Sequence, residues 1–268
     1  MQRPDPLSSQ PFPLSRTKLE LFLRCPRCFF LDRRFGIAPP SGPPFTLNSA
    51  VDALLKKEFD AFRIRGEPHP LMKNCSIDAV PFRHPSIEEW RNVRRGIRAL
   101  HEDSNFLFFG AIDDLWINPE GSLHIVDYKA TSFDGEVLLE GPWKDGYKRQ
   151  LEMYQWLFRK NGFAVSPIGY FVYVNADRNR ASFEGSLHFT MSILPHRGDD
   201  SWVDDALRET RLCLEREQLP LANSECEVCA YRKAANDTEL MMRPSSLNGV
   251  VSRSQPRLTK PNGGEGGI

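Results

Sequence analysis

The stretch HIVDYKAT, residues 124–131, runs from apolar residues into an acid and a base, with Asp127 and Lys129 two positions apart. On a strand, alternate side chains share a face, so both charges are aimed at one place. A second acid, Asp113 in GAIDDLW, lies just before the turn NPEG on the preceding strand segment. Two carboxylates brought together repel, and a divalent cation between them removes the repulsion. A cation, a water and a lysine that neutralises developing charge are the parts needed to hydrolyse a phosphodiester. The spacing alone fits equally well with a same-face ion pair on an exposed strand.

The six cysteines carry a second pattern. Cys25 and Cys28 form one C-x-x-C, and Cys226 and Cys229 form another. Each has the spacing of two ligands to one metal, and four thiolates brought together close a tetrahedral site. Cys75 and Cys213 have no partner by spacing, and Cys213, between Leu212 and Leu214, reads as core.

These residues need elements to hold them. Ser15 can cap a helix bearing Leu19, Phe22 and Leu23, which runs into Cys25. After the breaker APPSGPP, the segment LNSAVDALLKKEFDAF predicts a helix with Asn48 or Ser49 near its cap. Val51, Leu55, Phe59 and Phe62 form its apolar face, and Glu58 falls within that face. An acid in a buried stripe needs a partner, and a metal ion is one. Asp52 lies at the edge of the face, so Asp52 and Glu58 are both candidate third acids.

IEEWRNVRRGIRAL reads as a further helix with Trp90, Val93, Ile97 and Leu100 on one side. NFLFFGAIDDLWI and SLHIVDYKA read as a strand pair, followed by the helix YKRQLEMYQWLFRKNG with Gly162 at its C-terminal end. IGYFVYVN and GSLHFTMSIL are further strands, and DDSWVDDALRETRLCLERE a last helix. The expected fold is one α/β domain over residues 14–242, a central mixed sheet flanked by helices. Residues 1–13 are expected to be flexible and residues 243–268 disordered.

Formal net charge is zero over 268 residues, so any nucleic-acid surface must be a local patch. Arg91, Arg94, Arg95 and Arg98 recur at helical spacing, and Lys144, Lys148 and Arg149 lead into the helix after the strand pair. The second group is the better candidate for nucleic-acid contact. The N-terminus has no apolar core of a secretory signal and no segment is apolar enough to span a bilayer, so a cytoplasmic protein is expected.

Asp113 in G-x-x-D, then DYK after a hairpin, then QLEMY on the next helix, resembles the RecB-like branch of the PD-(D/E)XK nuclease superfamily. LSRTKLELFLRCPRCFFL is similar to the first helix of that branch, and the resemblance runs from about Leu14 to Arg232. It implies a restriction-endonuclease-like core and a Mg²⁺- or Mn²⁺-dependent DNA nuclease of repair, recombination or defence. It also implies DNA, including single-stranded ends, as substrate, and a helicase or repair/defence partner.

By the same resemblance, Asp113, Asp127 and the Tyr128 carbonyl bind the metal and Lys129 assists the attacking water. Gln150 and Tyr154 match its Q-x-x-x-Y motif, with Gln150 touching substrate or positioning Lys129. The branch often has a metal-binding histidine on the helix before the strands, and Asp52 takes that place here. Related nucleases hold an iron–sulfur cluster on one N-terminal and three C-terminal cysteines. Ala235 stands at the last of those positions, so Cys28 would complete the set, and zinc fits as well as a cluster. The alternative is a catalytically decayed nucleic-acid-binding or assembly module with a cysteine-bound metal.

Overall fold

A computed structural model describes residues 8–42 and 46–243. The chain divides after Cys226. The first unit opens with strand β1 (Phe12–Ser15), helices α1 (Arg16–Arg24) and α2 (Pro26–Phe30), and a π-helical turn over Leu31–Phe35. Helix α3 (Thr46–Arg65), α4 (Pro70–Asn74), β2 (Val80–Pro81) and α5 (Ile87–Arg91) come next. Strands β3 (Ile97–His101), β4 (Phe106–Gly110), β5 (Asp114–Ile117) and β6 (Leu123–Thr131) lead to α6 (Pro142–Lys160). Strands β7 (Ile168–Ala176) and β8 (Phe189–Arg197) and helix α7 (Val203–Glu215) complete the unit. In the second unit the described part contains helix α8 (Glu227–Met241), in which no residue is buried.

The fold is mixed α/β, with two mixed sheets instead of one. The larger has the order β2-β5-β6-β7-β8, with β6 and β7 parallel; the smaller has the order β1-β4-β3. Alternation along β6 and β7 assigns their side chains to two cores. Ile125, Phe171 and Tyr173 pack on Leu151, Tyr154 and Leu157 of α6, whereas Val126, Tyr128, Val172 and Val174 join Leu55 and Phe59 of α3. Each large apolar side chain so buried contributes about 1.5–3 kcal/mol. β6 is therefore held from both faces as the middle strand of the larger sheet. Among the described residues no helix is long and apolar enough to cross a membrane.

Several expectations are corrected. Phe12 and Pro13 are not loose: they pair in parallel with Phe106 and Leu107 of β4, and Phe12 is buried. Residues 1–7 and 244–268, expected to be flexible and disordered, lie outside the described residues. NFLFFGAIDDLWI is two strands in different sheets, broken between Gly110 and Asp114. Asn48 and Ser49 lie inside the first turn of α3, not at its cap. IEEWRNVRRGIRAL is not one helix; it holds only the short α5 and then β3, leaving Val93 and Leu100 exposed.

Gly96 completes that break, which begins at Asn92, an extended residue whose Oδ1 accepts the Arg94 and Arg95 N–H groups. Gly96 has φ of +59°, and a Cβ there would lie 2.3 Å from the Gly110 carbonyl oxygen. The chain turns tightly at a site where only glycine fits. Gly121 provides a contrast, with φ of +81° and open space around it. Gly121→Ala is expected to cost about 1–2 kcal/mol of left-handed strain. Gly96→Ala must cost clearly more, because β3 and β4 have to separate, and urea unfolding of the two variants measures the difference.

Candidate active site

The site forms where β6 outruns its neighbour. β5 begins at Asp114, opposite Val126, so Asp127 to Thr131 have no β5 partner. Asp113 stands at that gap and its side chain takes the place of the missing strand: the Tyr128 backbone N–H donates to Asp113 Oδ2 at 2.9 Å. The two acids expected to converge are thereby brought to one strand end. Asp113 borders a cleft of about 320 Å³, lined also by Asp52, Tyr128, Lys129 and Tyr147, and Asp127 is buried behind Lys129.

Asp127 and Lys129 share the α6 face of β6, as strand alternation requires. Asp127 is 1% exposed, and Gln150 of α6 donates to its Oδ1. Its Oδ2 is buried and meets the Lys129 ammonium as an ion pair. Burial pushes the Asp127 carboxyl up to about 6; Lys129 opposes the rise and Asp113 adds to it. Lys129 also donates to Gln150 Oε1 at 3.4 Å and lies 4.4 Å from the centre of the Tyr147 ring. Gln150 thus bridges acid and base.

Tyr154, one turn on, donates its hydroxyl to the Ala111 carbonyl, two residues before Asp113. Its ring explains the glycine of G-x-x-D, since a Cβ on Gly110 would lie 2.7 Å from Tyr154 Cε1. Burial pushes the Tyr154 phenol up to about 12. Tyr154 is thus placed to fix the chain leading into Asp113.

The candidate third acids separate. Glu58 is not in a buried stripe; its side chain is 49% exposed and accepts from or pairs with His69 Nε2 at 2.9 Å. The inward residues of α3 are Leu55, Phe59 and Arg63. Asp52 lines the cleft, and Lys56 Nζ reaches both Asp52 Oδ2 at 2.8 Å and Asp113 Oδ1 at 3.3 Å. Burial works against the Lys56 charge, but Asp113 and Asp52 outweigh it and the ammonium titrates above its ordinary range.

The basic residues lie as follows. Lys144 is buried, donating to the Tyr173 hydroxyl at 2.8 Å and lying 4.4 Å from that ring's centre. Arg149 makes a two-pronged pair with Glu20 of α1, at 2.7 and 3.0 Å. Lys148 is half-buried, 3.6 Å from Asp145. Arg91, Arg94, Arg95 and Arg98 do not share a helix face, because α5 ends at Arg91.

Arg91 instead belongs to a buried network behind the cleft. Asp114 is fully buried and accepts from Arg63, from Arg91 Nη2 at 3.2 Å, from the Tyr128 hydroxyl at 2.8 Å and from the Leu115 N–H at 2.8 Å. Arg91 also donates to the Asp113 carbonyl at 3.0 Å and to both oxygens of Asp60. Burial and the neighbouring Asp114 hold the Tyr128 phenol well above its ordinary range. Asp114, Arg63 and Lys56 are not among the residues the sequence singled out, and Arg91 is there only as part of a basic stripe. The Asp52/Lys56 i,i+4 spacing and the adjacent pair Asp113–Asp114, which a strand sends to opposite faces, were the available signals.

At the cysteines, Cys25 and Cys28 are buried and Cys28 Sγ lies 3.6 Å from Cys226 Sγ. Within the first unit the sulfur atoms of Cys25, Cys28 and Cys226 lie within 4.8 Å of one another, thiols of the kind that can hold a metal ion, and Cys229 stands in the first turn of α8. Cys213 is buried in the core, and burial pushes its thiol up to about 11. Cys75 is exposed.

The family model of the PD-(D/E)XK nuclease superfamily matches residues 46–234. That span holds the cleft and its network, and the mixed α/β architecture accords with a restriction-endonuclease-like core. The solved structure described as "Crystal structure of SSO0001" is similar at 18% identity and a TM-score of 0.39, covering 82% of this chain and 84% of that one. No curated protein matches the chain.

Two outcomes follow from the charges. Asp114→Asn leaves two buried guanidinium groups short of a counter-charge and is expected to cost about 3–5 kcal/mol in urea unfolding. For Asp127, the folded value of about 6 lies above the ordinary 3.8, so the folded state holds this proton more tightly. Its contribution to metal-free stability therefore falls as pH rises from about 4 to about 6, and the penalty is complete above that range. Asp127→Asn removes this part of the profile, which thermal melts across pH measure.

Proposed function

This chain belongs to the PD-(D/E)XK nuclease superfamily, and from that premise we propose that it hydrolyses DNA phosphodiester bonds with Mg²⁺ or Mn²⁺. Members of the superfamily are typically metal-dependent nucleases. The observation that carries the reading is the convergence of Asp113, Asp127 and Lys129 at the end of β6. The buried Asp127 Oδ2 meets the Lys129 ammonium, and a carboxylate oxygen so placed beside Asp113 fits a cation ligand. Asp113 Oδ1 faces the same cleft, because Oδ2 is held by Tyr128. A strand residue sends its N–H and C=O to the same edge, so the Tyr128 carbonyl lies on the edge that Asp113 faces.

Asp113, Asp127 and the Tyr128 carbonyl would hold the ion, with Asp52 as the third acid. A bound divalent cation polarises a phosphoryl oxygen and lowers the pKa of water. Gln150 keeps Asp127 Oδ1 occupied and turns Oδ2 toward Lys129. Lys129, ordered by Asp127, Gln150 and the Tyr147 ring, orients the attacking water and neutralises charge as it builds on the phosphate. Asp127 has to be ionised to hold the ion, so the metal-free protein takes up the ion less readily below about pH 6.

Within the superfamily we place the chain in the RecB-like branch. The order of its motifs, the Gln150/Tyr154 pair and the cysteines at both ends support that placement. For the cysteines we propose zinc. Tetrahedral zinc with bonds of about 2.3 Å sets its thiolates about 3.8 Å apart. The observed 3.6 Å fits that spacing, whereas a cluster interposes iron and sulfide and holds its ligands further apart.

Asp113→Asn, Asp127→Asn and Lys129→Ala should each lower cleavage of single- or double-stranded DNA by about 10²-fold or more. DNA binding should remain within a few fold. Full activity in the two acid variants overturns the metal assignment. Glu58→Gln is expected to leave cleavage unchanged, while Asp52→Asn lowers it. Elemental analysis and a visible spectrum of anaerobically purified protein should show zinc and no colour; iron with sulfide and a brown colour refutes the zinc assignment.

A further inference from the structure

Lys56 has no part in the reading above, yet its ammonium sits on the oxygen that a metal ion needs. Asp113 has two carboxylate oxygens. Oδ2 accepts the Tyr128 N–H at 2.9 Å. Oδ1, the one left to face the cleft, lies 3.3 Å from Lys56 Nζ. Asp52, one helical turn before Lys56 on α3, holds the same ammonium at 2.8 Å. The Lys56 side chain is 22% exposed and its helix is anchored by the buried Leu55 and Phe59 on either side. The lysine is therefore delivered to Asp113 by the core packing of α3 and kept there by a second carboxylate.

We propose that Lys56 is a resident counter-ion of the cation position: its ammonium neutralises Asp113 and Asp52 in the metal-free protein, and a divalent ion must displace it from Asp113 Oδ1 to bind. The inference rests on Asp113 being a metal ligand. Three carboxylates, Asp52, Asp113 and Asp127, meet two ammonium groups, Lys56 and Lys129, so the cleft is close to charge balance before any metal enters. The metal-free site is thereby spared the repulsion that bare carboxylates would suffer. Metal affinity is reduced by the same amount that the Lys56–Asp113 contact stabilises the empty site. Lys56 can then stay on Asp52, which leaves Asp113 Oδ1 open. The protein consequently responds to divalent cations with a threshold set by its own lysine.

The experiment is a Mn²⁺ titration of the full chain, read as loss of the free-Mn²⁺ electron paramagnetic resonance signal. Thermal melts are recorded with and without Mn²⁺. The proteins are the natural chain, Lys56→Met, Lys56→Gln, Lys56→Arg and Asp113→Asn. Lys56→Met and Lys56→Gln should bind Mn²⁺ about tenfold or more tightly than the natural chain, because a like charge a few Å from the ion is gone. Both should melt lower without metal and gain more from it. Lys56→Arg should keep the natural affinity. Lys56→Gln retains a donor for Asp52 and serves if Lys56→Met fails to fold. Asp113-dependent Mn²⁺ binding that is equal or weaker in the neutral variants overturns this inference and leaves the nuclease reading standing. Mn²⁺ binding unchanged in Asp113→Asn overturns both.

Discussion

The Asp114 carboxylate is the point on which the site depends. It is fully buried and held by Arg63 from α3, Arg91 from α5, the Tyr128 hydroxyl from β6 and its own strand's Leu115 N–H. A charge in that position is tolerable only when each lone pair is satisfied. Satisfying them brings two helices and two strands to one register. Arg91, once placed, reaches the Asp113 carbonyl, and Tyr128, once placed, presents its N–H to the Asp113 side chain. The position of Asp113 is thus a consequence of how its neighbour is neutralised.

A difference in strand length does the rest. Because β5 starts at Asp114 while β6 runs on to Thr131, the backbone of the β6 overhang is exposed on one edge. In a sheet centre, ladder bonds would consume that edge. Here a carboxylate and a cleft occupy it. β7 holds the opposite edge through Thr131, so the overhang stays rigid although it is half unpaired. Rigid placement of acid and base is what a hydrolytic site requires, since a shift of a fraction of an ångström spoils the alignment.

The electrostatics divide by face. On the α6 side, Asp127, Lys129 and Gln150 form a triad in which burial raises the acid and the lysine restrains it. On the α3 side, Asp52 and Lys56 form a wetter pair that touches Asp113. Asp113 stands between the two. Basic residues near the site are mostly committed inward, Lys144 to Tyr173 and Arg149 to Glu20. They stiffen α6 against β7 and α1, which in turn fixes Gln150.

What the sequence determined by itself is what short-range periodicity controls. Alternation on a strand put Asp127 and Lys129 on one face, and the four-residue helix repeat put Gln150 and Tyr154 on another. The C-x-x-C spacing paired the cysteines, and the order of motifs identified the family. The tertiary structure alone decided the rest. A helical wheel ranked Glu58 as buried, but a wheel does not say which side the core lies on; packing of Phe59 turned Glu58 to His69 and the solvent. The arginines of IEEWRNVRR recur at helical spacing, but the helix ends at Arg91 and Asp114 draws that side chain inside. Lys56 and Asp113 are 57 residues apart. No local rule links them, because a charge pair of that kind exists only once two cores have closed on the same sheet.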